Sequence, residues 1–123
     1  MPISLTSVEK LASWGIPMVE TTIAIARQCK RILEDYYGSR LKGLILYGSL
    51  VRSRASAGSD MDLLVLLNGP LDYFQELQQI IDLLYPVQLE SEYLISAKPV
   101  AADEFERGEL QLYRNVKREG LPV

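Results

Sequence analysis

The chain has 123 residues, 48% of them hydrophobic and 24% charged, with a formal net charge of −3. That is the size of one ordinary domain, able to bury roughly two-thirds of its unfolded surface, and the acidic balance offers no broad basic footprint for tracking a long nucleic acid. With no histidine and one cysteine, Cys29, the chain cannot use Ser/His/Asp or Cys/His catalysis, an internal disulfide or the usual transition-metal ligands.

The elements follow in alternation. The opening "MPISLTSVEKLASW" lacks a basic start followed by an apolar core, and no stretch approaches the ~18 apolar residues that span a bilayer, so a soluble protein of the cytoplasm is expected. Residues 7–14 suggest a short helix capped by Ser7. From Pro17 to Tyr37 apolar residues recur at spacings of three and four, among them Ile23, Ala26, Cys29 and Leu33, as one broad helical face requires. Gly38 ends that helix. "KGLILYG" and "MDLLVLL" are apolar runs of strand length. Asn68, Gly69 and Pro70 make a turn and a helix start, and Leu71, Phe74, Leu77, Ile81 and Leu84 mark the helix that follows as amphipathic by their apolar face. "EYLISAKPV" reads as a third strand interrupted near Pro99, and "ADEFERGELQLYRNVKREG" as one or two charged helices. The order α-β-α-β-α-β-α predicts an α/β (α+β) fold, a small mixed sheet flanked by helices in one domain over 1–123.

Chemistry concentrates between the first two strands. Side chains alternate along a strand, so Asp60 and Asp62 share a face, their Cβ atoms roughly 7 Å apart. Leu63 to Leu67 are apolar on both faces, as a central strand requires. Two uncompensated anions at its start raise each other's pKa, and a hard divalent cation relieves them. Oxygen ligands without histidine or cysteine suit magnesium, which completes its shell with water and substrate phosphates. Gly48 and Ser49 end the preceding strand. A helix beginning at Leu50 or Val51 would turn its free amides toward the sheet edge as an anion site, with Gly48 admitting a phosphate, Ser49 adding a hydroxyl and Arg52 returning one turn later. Carboxylates on one side and phosphate donors on the other describe a site for a nucleoside triphosphate with its magnesium.

Gly-Ser, ten residues from Leu50 to Ser59, then Asp-x-Asp, resembles the signature of the polymerase-β-type nucleotidyltransferases, in particular the minimal ones. Arg52 matches the arginine of the family's Gly-Ser-x-x-Arg, and "LYRNVKREGLPV" resembles the last helix of many short members. The resemblance covers residues ~40–123. It implies Asp60 and Asp62 as magnesium ligands, Gly48, Ser49 and Arg52 as nucleotide-binding residues, and transfer of a nucleoside monophosphate, AMP from ATP, to a hydroxyl. Members commonly carry a third carboxylate on the next strand; here the text is "QLESEYLIS", with Glu92 the better candidate for that catalytic role and Glu90 the second. The resemblance further implies an antitoxin acting on a tyrosine of a small helical HEPN-type ribonuclease, the protein partner in place of membrane or nucleic acid; a homo-oligomer is compatible with it. Two other readings stay open: a non-catalytic nucleotide- and partner-binding module, and a plain structural or regulatory domain. Cys29, Trp14, Tyr36 and Tyr37 read as packing residues, and Asp82, Asp103 and Glu104 as helix surface.

Overall fold

A computed structural model describes residues 17–48 and 60–123. Ser7, Trp14, Ser49, Arg52 and the helix expected from Leu50 or Val51 lie outside the described residues. Within them the order is α1 (Pro17–Tyr37), a 3-10 turn (Gly38–Arg40), β1 (Leu41–Tyr47), β2 (Asp60–Leu67), α2 (Tyr73–Glu90), β3 (Leu94–Ala101), α3 (Ala102–Arg107), α4 (Gln111–Glu119) and the short β4 (Leu121–Pro122). The strands form one mixed sheet ordered β3-β2-β1-β4. β1 pairs antiparallel with β2 and with β4, whereas β2 and β3 run parallel.

Alternation along β2 explains the two cores. Met61, Leu63, Val65 and Leu67 join Leu44 and Leu46 of β1 under α1 and α2, with Ile23, Ala26, Cys29, Leu33 and Tyr37 contributed by α1 and Ile80, Leu84 and Val87 by α2. On the opposite face Leu64 and Leu66 meet Ile45, Val100, Phe105, Tyr113 and Val116 of the neighbouring strands and of α3 and α4. A strand covered on both faces must be apolar throughout, so β2 has the composition expected of a central strand. Each fully buried leucine contributes about 1.5–3 kcal/mol of transfer free energy.

α2 differs from its expected form at its start and in its face. It begins at Tyr73, where the Asp72 carboxylate accepts from the Gln75 N–H at 3.3 Å, and it runs through Pro86 to Glu90. Proline costs the helix one hydrogen bond, but the last turn is held from outside: Gln88 Nε2 donates to the Tyr93 carbonyl at 2.9 Å and Oε1 accepts from the Ile95 N–H at 2.6 Å. The buried positions are Ile80, Leu84 and Val87, while Phe74 and Ile81 are exposed. β3 also continues through Pro99 to Ala101 without interruption. It is an edge strand, where the missing N–H of a proline on the open side breaks no ladder bond.

Candidate active site

The antiparallel pairing of Tyr47 with Asp62 delivers the end of β1 to the start of β2. Gly48 follows at φ 94°, a conformation that L side chains rarely adopt. A Cβ there would fall on Asp62 Oδ2 and stand 3.3 Å from Asp62 Cγ. The Gly48 backbone therefore lies directly against the Asp62 carboxylate, and only glycine permits that approach.

Asp60 and Asp62 project to the same face of β2, the face of Leu64 and Leu66. Asp60 is exposed and Asp62 half-buried. Burial pushes the Asp62 carboxyl above its ordinary range, the charge of Asp60 pushes it further, and Lys98 partly opposes the shift. The Tyr47 phenol, paired beside Asp62, is raised by burial, then by Asp62 and by Tyr73. The local need is for positive charge. Two carboxylates on one face, one of them partly withdrawn from water, fit a hard divalent cation, with water and phosphate oxygens completing its shell. Asp60 and Asp62 would hold such an ion; bound there, it would neutralise the charge that builds up on transferring phosphate.

The parallel register sets Leu94 beside Asp60, Ser96 beside Asp62 and Lys98 beside Leu64. The neighbour of Asp62 on β3 is thus a serine. Glu90 is the last residue of α2, and Glu92 is exposed in the bend before β3 rather than within the strand. Among the described residues, no three histidine, cysteine or acidic side chains stand close enough to share a metal ion, so Glu92 is not gathered with the two aspartates. Lys98 is the charged side chain that β3 does bring to this face, and the sequence reading missed it. Its signal, a lysine two positions after Ser96 in an otherwise apolar strand, has meaning only once the β2–β3 register is known. Gly48, Asp60 and Asp62 come together as expected; Ser49 and Arg52 lie outside the described residues.

The model of the nucleotidyltransferase domain family matches residues 26–118, which include β1, β2 and both aspartates. A crystal structure from Sulfolobus solfataricus, of a protein named as a candidate nucleotidyltransferase, is similar at 19% identity over 85% of this chain and 82% of its own, with a TM-score of 0.46. Among curated proteins none matches. With the family model spanning most of the chain, and with Gly48 set against Asp62 at the mouth of a central strand, the chain belongs to the polymerase-β-type nucleotidyltransferases.

Proposed function

We propose that this chain is a minimal nucleotidyltransferase that moves AMP from magnesium-bound ATP to a hydroxyl of a protein, a tyrosine of a small helical HEPN-type toxin. The observation that carries this reading is the Asp60–Asp62 pair on one face of β2, with Asp62 pressed against the Gly48 backbone. The pair would hold the metal, and the metal would bridge to the triphosphate. Phosphoryl transfer depends mainly on positioning and charge stabilisation, so a compact site of this kind is sufficient for it. A net charge of −3 suits a protein acceptor better than a nucleic-acid primer. An added AMP would place negative charge on the acceptor, enough to repel RNA from a binding surface.

The test is transfer of label from α-labelled ATP, with magnesium, to a co-purified or candidate HEPN-type partner. Labelled partner with wild type and none with Asp60→Asn is the expected result. Label on a small molecule or an RNA end would overturn the acceptor while keeping the transfer. One observation favours a second reading, a binding module that holds the nucleotide without turnover: Ser96 stands beside Asp62 where a third carboxylate would complete the set. Nucleotide binding without transfer to any acceptor would select it.

A further inference from the structure

The helix α2 and the edge strand β3 carry an apolar surface that the nucleotide site does not use. Phe74, Ile81, Tyr85, Leu89 and Leu94 are 78%, 50%, 56%, 67% and 58% exposed. On α2 the spacings from 74 to 81, 85 and 89 are seven, four and four, so these side chains form one stripe beside the buried one. Ile81, Tyr85 and Leu94 rim a groove of about 270 Å³ whose floor is Ile80, Leu84 and Ala97. Single exposed apolar residues are ordinary on a protein surface; a contiguous stripe beside a groove marks an interaction site.

Two features identify the occupant. The first is the edge itself. By alternation Ile95, Ala97 and Pro99 share the side of β3 that faces away from β2. Gln88 Oε1 already accepts the Ile95 N–H, and proline has no N–H to offer. An added strand would find most of its donors missing, so the groove is built for side chains and not for strand addition. The second is charge. From Asp60 to Ala97 the chain contains no lysine or arginine. Asp82 borders the stripe on α2, and Glu92 stands two residues before Leu94; both are exposed. A second copy docking groove to groove would bring these acids against themselves. A basic helix of another copy, such as α4 with Lys117 and Arg118, would give a head-to-tail contact that grows open chains. RNA and anionic membranes would meet acids and no cation between Asp60 and Ala97.

We infer that the α2–β3 groove is a docking site for an amphipathic helix of a different protein, apolar where it enters the groove and carrying lysine or arginine along its borders. Large apolar side chains at i, i+3 or i+4, and i+7 would seat between Tyr85 and Leu94. The basic residues would lie against Asp82 and Glu92, setting orientation and on-rate more than affinity. This inference stands apart from the transfer reaction, because it requires neither ATP nor metal.

The experiment places a photo-crosslinking phenylalanine derivative at Tyr85 of the full chain in its native cells and sequences the crosslinked peptides. The expected adduct is one foreign protein, joined through a peptide with helical apolar spacing and flanking lysine or arginine. A synthetic copy of that peptide should bind the purified chain, lose about tenfold or more in affinity with Ile81→Asp or Leu94→Asp, and bind more weakly as salt rises. Both substitutions fall on exposed positions, so the variants should fold, which their melting curves would check. Adducts to this chain's own sequence, whether residues 1–16 or a second copy, would overturn the inference. So would an acidic or non-helical partner peptide, or the absence of any adduct.

Discussion

Gly48 and Asp62 show how much of a site can hang on one missing methyl group. Alanine at Gly48 must take a positive φ and push against the Asp62 carboxylate. Gly48→Ala is expected to lower the melting temperature and to abolish stabilisation by magnesium and ATP, with both read in one thermal scan. Retained stabilisation would show that the Asp62 carboxylate needs no such neighbour. Asp62 has its own pH signature. Its raised carboxyl pKa means that the folded state favours the neutral form, so its favourable contribution is complete below the ordinary value of 3.8 and is lost as pH rises through the raised one. Metal-free Asp62→Asn should therefore melt above wild type at neutral pH, with the difference vanishing toward pH 3.8. A variant less stable than wild type at neutral pH would contradict the placement. Cys29, fully buried under the sheet, is pushed up to about 12 by desolvation. The unfolded thiol ionises near its ordinary value of 9.0, so stability should fall from pH 9 toward 12, and Cys29→Ala should lessen that slope while costing stability at neutral pH, where the thiol is protonated in both states. The shared face of Asp60 and Asp62 was legible in the sequence because strand alternation is local. Lys98 was not, since its relation to Asp62 exists only through β2–β3 register.

At the scale of elements, local signals succeeded where the chain alone decides. The C-terminal end of α1 could be read because its apolar spacing and Gly38 agree. α2 could not. Phe74 and Ile81 follow a helical spacing as faithfully as Ile80 and Val87 do, and only docking on the sheet decides which stripe is buried. The position of Glu92 follows from the same difficulty: a proline normally ends a helix, yet the bonds of Gln88 to Tyr93 and Ile95 hold α2 together past Pro86 and delay β3 to Leu94. Arg40 performs a comparable service at the other end of the sheet. Its guanidinium donates to the carbonyls of Asn68 at 3.0 Å and Pro70 at 2.9 Å, pairs with Glu76 at 3.0 Å and covers the Tyr37 ring. Arg40→Ala would strip the β2–α2 connection of these bonds and leave Glu76 without its cation. A loss of about 1–3 kcal/mol in urea unfolding is expected, and Arg40→Lys should recover only part of it, because one ammonium cannot replace a planar fork. Wild-type stability in Arg40→Ala would show the contacts to be incidental.

For the molecule as a whole, alternating helical and strand patterns were enough to anticipate a mixed sheet with helices on it. They could not give the strand order, in which β1 and β2 are neighbours in antiparallel sense while β3 returns parallel at the edge. Nor did they reveal β4, whose two residues gain strand character only by pairing with Ile45 and Leu46. The consequence for function is geometric: this topology gathers the end of β1 and the beginnings of β2 and β3 at one rim, and the carboxylate pair sits there. If that rim holds a metal-bound triphosphate, ligand binding must stabilise the fold. At about 100 times the dissociation constant the gain is about 2.7 kcal/mol. The most direct measurement is thermal unfolding of wild type and of Asp60→Asn/Asp62→Asn with magnesium and a non-hydrolysable ATP analogue. A clear upward shift for wild type, absent with either component alone and largely missing in the double variant, is the expected result; equal shifts for the two proteins, or none for wild type, would contradict the assignment of Asp60 and Asp62.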